Sequence, residues 1–141
     1  KKERRGDIVI INLEGEPHLP LAERRRKGPA ARDVASMIRS IDYSVGAILE
    51  RMLKVSTDDQ GRLGAALENW RVQSIATFLT SYHETLTENH LWPADKKASE
   101  RMLRFFLLQK AVYEVDFELK NRPDWLRVPM VALLRLIREP V

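Results

Sequence analysis

The chain has 141 residues, of which 44% are hydrophobic and 31% charged, enough for one domain with a real core and unlike a disordered tail. It contains no cysteine, which excludes disulfides and thiolate metal sites. The net charge is +4, and basic residues crowd the N-terminal quarter, in Lys1-Lys2-Glu3-Arg4-Arg5 and Arg24-Arg25-Arg26-Lys27. No aromatic stacking residues accompany these clusters, so a solvated basic loop or a phosphate-attracting rim is favoured over a nucleic-acid surface.

No apolar run approaches the roughly 18–20 residues that a bilayer requires, and the first residues lack a signal-peptide pattern. The expected setting is therefore cytoplasmic, with no membrane partner. The start at Lys1, with a strand-like run almost at once, reads as a piece cut from a longer polypeptide. That run, Ile8-Val9-Ile10-Ile11, is β-branched and ends in Glu14-Gly15-Glu16-Pro17, which predicts a buried strand entering a turn. Pro17, Pro20, Gly28 and Pro29 then punctuate a stretch in which no element should run long.

From residue 29 onward the pattern is helical. Asp33 is the expected cap of a first long helix, with Val34, Met37, Ile38, Ile41, Val45, Ile48, Leu49 and Met52 as its apolar stripe. Arg32, Ser36, Arg39, Ser40, Glu50 and Arg51 fall on the opposite, polar side. Ser56-Thr57-Asp58-Asp59 and Gly61 predict a break. A second helix should bury Leu63, Leu67, Trp70, Ile75, Phe78, Leu79, Tyr82 and Leu86, and end before His90-Leu91-Trp92-Pro93. Asp95 should cap a third helix running to about Asn121, where Pro123 stops it. A short fourth helix is expected to start near Pro129.

The third helix is apolar on nearly every side, which predicts burial all round. Phe105, Leu108, Val112, Val115 and Leu119 form one stripe, and Leu103, Phe106, Leu107, Tyr113 and Phe117 the other. Lys110, Glu114 and Asn121 interrupt the second stripe. Either Lys110 and Glu114 form a weak i, i+4 pair at the core margin, or they join Tyr113 in lining a polar cavity for a hydroxylated ligand. The Asn121-Arg122-Pro123-Asp124-Trp125 corner is similarly open. Its Trp and Arg suit a sugar face and its hydroxyls, and they equally suit a packed turn.

Five blocks in order carry a family resemblance. Ile10-Ile11-Asn12-Leu13-Glu14-Gly15-Glu16-Pro17, Pro20-Leu21-Ala22-Glu23-Arg24-Arg25 and Arg32-Asp33-Val34-Ala35-Ser36-Met37-Ile38-Arg39-Ser40-Ile41-Asp42-Tyr43 resemble successive blocks of maltokinases, which also occur fused to trehalose synthase. Lys110-Ala111-Val112-Tyr113-Glu114 and Asn121-Arg122-Pro123-Asp124-Trp125 continue the match.

The resemblance implies a mainly α fold, the helical C-lobe of a protein-kinase-like bilobal fold. Residues 1–28 would form a short N-terminal strand or hairpin and metal loop, and residues 29–141 about four helices. It implies transfer of the ATP γ-phosphate, with Mg²⁺, onto the anomeric hydroxyl of maltose or a related α-glucoside, with a trehalose synthase domain as a further partner. Asn12 falls where the family has its metal-holding Asp, with Glu14 beside it. Mg²⁺ is usually held through one or two carboxylates, so an amide there should weaken it. The catalytic loop with its His-Gly-Asp base and the N-lobe would lie upstream of Lys1, so this chain alone should show no turnover. Lys110, Tyr113 and Glu114, with Arg122, Trp125 and Arg135, are the residues carried over for the acceptor sugar. Asn12 also supports a different reading, a non-catalytic kinase-like scaffold or regulator for a trehalose synthase.

Overall fold

The computed structural model describes residues 19–53, 60–87 and 92–138, and every described element is helical. α1 (Leu21–Arg24) is a single turn, α2 spans Ala31–Leu53, α3 Gln60–Thr87, α4 Lys96–Asn121 and α5 Arg127–Arg138. A 3₁₀ turn, Pro123–Trp125, links α4 to α5. The mainly helical expectation holds. The strand expected at Ile8–Ile11, the metal loop with Asn12 and Glu14, and the Ser56–Asp59 break lie outside the described residues.

α2 is the central helix. Arg39 and Tyr43 of α2 meet Glu114 and Glu118 of α4, so these two helices run parallel where they touch. Asp42 and Leu49 of α2 approach Arg71 and Gly64 of α3, and Glu50 and Asp42 approach Arg127 and Arg135 of α5, so α3 and α5 run antiparallel to α2. Val34, Ala35 and Ile38 of α2 pack with Leu103 and Leu107 of α4, and Ile75, Phe78, Leu79 and Tyr82 of α3 close over them. At the α2–α5 crossing only glycine fits, since a Cβ on Gly46 would lie 2.7 Å from Val128 Cγ1. Trp92 closes the start of α4 onto α3. Its indole N–H donates to the Ser99 hydroxyl and its ring meets Tyr82 and His83 edge-on.

Several local expectations change. Asp33 sits in the first turn of α2, which begins at Ala31, where its charge suits the helix dipole although it does not cap. Gly61 falls inside α3. Leu21–Arg24 forms only a single turn of helix, in keeping with a stretch where no element should run long. α5 begins at Arg127, which places Pro129 third in the helix, still within the turn whose N–H groups have no intrahelical acceptor. Asp95 does cap α4, its side chain accepting from the Ala98 N–H at 2.8 Å, and α4 ends at Asn121 as the proline predicts.

Burial differs more. Trp70 and Leu63, expected on the buried face of α3, are 52% and 45% exposed. α4 is not enclosed: Phe105, Val112 and Leu119 are exposed, because among the described elements α2 and α5 pack on one side of it only. Arg39 reverses its assignment completely. The wheel puts it on the polar side of α2, yet its side chain is fully buried.

Candidate functional site

The buried Arg39 is explained by what surrounds it. A desolvated guanidinium is tolerated only when its donors are met by charge and hydrogen bonds. Arg39 Nε and Nη2 both donate to Glu114 Oε2, at 3.1 and 2.5 Å, and Nη1 donates to Asp42 Oδ2 at 2.9 Å. Asp42, one turn along α2, passes its other oxygen to Arg71 Nη1 at 2.9 Å. Arg71 in turn donates to both oxygens of Glu68, at 2.9 and 2.6 Å. The result is an unbroken line of alternating charge, Glu114–Arg39–Asp42–Arg71–Glu68, crossing from α4 through α2 to α3.

Next to it lies a second polar cluster. Glu118 follows Glu114 by four residues and so occupies the same face of α4 one turn on. Its side chain is 2% exposed and accepts from Tyr43 Oη at 2.7 Å and from Arg122 at 3.0 and 2.6 Å. Arg122 is half exposed, so the cluster runs from this buried carboxylate to the surface.

The environment divides the titrations. Burial pushes the Glu114 carboxyl above its ordinary range, against the pull of Arg39 and, more weakly, Lys110. The Tyr43 hydroxyl is pushed up to about 12, first by burial and then by its hydrogen bond and charge contact with Glu118. The hydrogen bond from Arg71 leads in holding Glu68 below its ordinary value.

The residues assigned to the acceptor sugar fall into two places. Lys110 Nζ stands 4.7 Å from the centre of the Tyr113 ring, Tyr113 is 6.2 Å from Phe117, and the Arg122 guanidinium lies 5.6 Å from Phe117 and 5.7 Å from Trp125. These four assigned residues, with Phe117 between them, form one ladder of rings and cations down α4 onto the Pro123 corner. Glu114 lies on the inner flank, held by Arg39 rather than facing solvent alone, which neither reading of the Lys110–Glu114 pair anticipates. Arg135 lies elsewhere, beside Asp42 and Glu68 on the α3–α5 side. Asn12 and Glu14 are outside the described residues, and among the described residues no group of acidic or histidine side chains is arranged to hold a metal.

Sequence reasoning missed Arg39, Asp42, Tyr43 and Glu118 as members of the site. The usable signal was their spacing. Arg39, Asp42 and Tyr43 recur at i, i+3, i+4 and Glu114, Glu118 and Arg122 at i, i+4, i+8, two polar rows of complementary charge, each on one helix face.

The chain is 27% identical over 134 residues to a glucosamine kinase of Streptacidiphilus jiangxiensis, an alignment covering 95% of this chain and 28% of that protein. It is 29% identical over 135 residues to a glucosamine kinase of Mycolicibacterium smegmatis, covering 95% of this chain and 31% of that protein. The chain therefore spans under a third of the length of these relatives. No family model matches it, and no solved structure gives a significant match. No helix among the described residues is long and apolar enough to cross a membrane. The similarity supports a relationship to sugar kinases, broader than the maltokinase resemblance.

Proposed function

We propose that this chain forms the acceptor-sugar part of an ATP-dependent sugar kinase, with glucosamine as the acceptor. The observation that carries the reading is that similarity to two glucosamine kinases extends along 95% of the chain. The α4 ladder gives it a chemical basis. A pyranose offers an apolar face, which suits the Trp125 indole, and a rim of hydroxyls, which suits charged donors and acceptors such as Arg122 and Lys110. Glu114, fixed by Arg39, is the carboxylate this reading assigns to a sugar hydroxyl or ammonium. ATP and Mg²⁺ would be held by parts of the polypeptide other than the described helices.

Maltose is the second reading, favoured by the blocks from Ile10 to Pro17 and from Lys110 to Glu114 that resemble maltokinases. The two separate cleanly in the intact polypeptide that carries this chain. ATP consumption there should depend on added glucosamine, and Trp125→Ala should raise the sugar KM more than it lowers kcat. Consumption dependent on maltose instead transfers the reading to the second acceptor. Failure with every sugar, in a protein that still binds ATP, refutes the catalytic reading and favours a scaffold role.

A further inference from the structure

A cavity of about 270 Å³ opens between α2, α3 and α5. Its floor is aliphatic, built from Val45, Leu49, Val128, Val131 and Ala132. Arg71, Arg127 and Arg135 line it as well, against the carboxylates of Asp42 and Glu50. Apart from Arg135, none of the residues assigned to the sugar belongs to this cavity, so the inference does not rest on the sugar reading.

The three guanidinium groups are not equally committed. Arg71 is engaged by Asp42 at 2.9 Å and by both oxygens of Glu68. Arg127 donates to Glu50 at 3.2 Å. Arg135 stands apart: its carboxylate neighbours among the described residues are Glu68 at 3.7 Å and Asp42 at 4.0 Å, both beyond hydrogen-bond reach. Those carboxylates are engaged more closely by other guanidinium groups: the two oxygens of Asp42 accept from Arg39 and Arg71, and both oxygens of Glu68 accept from Arg71. A guanidinium has five N–H donors in a planar fork that matches a carboxylate bidentately. Arg135 thus presents that fork, one-third exposed, at the edge of an apolar hollow.

We propose that this cavity binds a short aliphatic carboxylate, its head group on the Arg135 fork and its chain along Val45, Leu49, Val128 and Val131. A bare inorganic anion would leave the aliphatic floor wet, and an uncharged chain would leave the guanidinium with only its long ion pairs to Glu68 and Asp42. An amphipathic anion satisfies both. Val131, which lines the cavity, is 48% exposed, so a seated chain that covers it gains apolar burial.

The test is calorimetric titration of the 141-residue chain with octanoate, and separately with octan-1-ol, acetate and inorganic phosphate. Octanoate should bind saturably and at least about tenfold more tightly than each of the others. Arg135→Gln should weaken octanoate about tenfold and bring it level with octan-1-ol. Arg135→Lys keeps the charge but loses the fork, and should lose severalfold. Ala132→Leu, which fills the floor, should abolish octanoate binding with Arg135 intact, and circular dichroism on each variant confirms folding. Absence of saturable octanoate binding overturns the proposal. Equal affinity for octanoate and octan-1-ol, tighter binding of phosphate than of octanoate, or full octanoate affinity in folded Arg135→Gln overturns it too.

Discussion

Removing Arg39 tests the architecture most sharply. Its guanidinium is fully buried and makes three hydrogen bonds, two to Glu114 and one to Asp42. In Arg39→Met the methionine fills much of the same volume, so packing is largely kept. Asp42 retains Arg71 at 2.9 Å. Glu114 loses both bonds while its side chain remains only 12% exposed. Breaking a buried ion pair by deleting one partner costs about 3–5 kcal/mol, because the other charge is stranded. For a domain of this size that corresponds to a fall in Tm of roughly 6–20 °C. Glu114→Leu added to Arg39→Met removes the stranded charge, so the double variant should recover part of the loss. The cycle is read by denaturant unfolding, with coupling of about 1 kcal/mol or more expected between groups in contact. A folded Arg39→Met with Tm within about 2 °C of the parent, or two changes that simply add, would refute the claim that the pair is buried and interdependent.

Three further outcomes follow from named contacts. Tyr43 has its pKa raised, so the stability it contributes is complete below the ordinary tyrosine value of 10.0 and is lost as pH rises through about 12. Phenolate absorbance should show a late step near pH 12 that Tyr43→Phe removes, and a step already complete near pH 10 would contradict the Glu118 contact. Gly46→Ala forces a methyl to within 2.7 Å of Val128 Cγ1 and should cost about 1–3 kcal/mol in urea unfolding, with Val128→Ala restoring most of it. Asp95→Ala removes the cap of α4 and should cost about 1 kcal/mol by the same measurement.

Local chemistry made the helices readable. Asp95 and Pro123 bound α4 through the capping carboxylate and the missing N–H of proline, effects that act within a turn. The buried network was not readable in the same way. Arg39 and Glu114 lie 75 residues apart, and a helical wheel ranks arginine as polar without knowing that a carboxylate on another helix awaits it. Periodicity placed Glu114 at an unusual position on an apolar face but could not name its partner. The burial of α4 was overestimated for a related reason. Apolar character shows that Phe105 and Val112 favour cover, and the packing of described elements on one side only leaves both exposed. Lys110, Tyr113, Arg122 and Trp125, named together through the family resemblance, fall together along α4 and its corner, whereas Arg135, named with them, turns toward α3.

The central claim is that the α4 ladder and its Pro123 corner receive a sugar. Titration of isotope-labelled chain with glucosamine, followed by ¹H–¹⁵N correlation spectra, tests it directly because millimolar binding is visible. The account predicts saturable shifts at the Trp125 indole N–H and at the Tyr113, Glu114 and Arg122 amides, and their loss in Trp125→Ala. Spectra unchanged by glucosamine and by maltose alike, or shifts confined to residues away from α4 and the Pro123 corner, would contradict it.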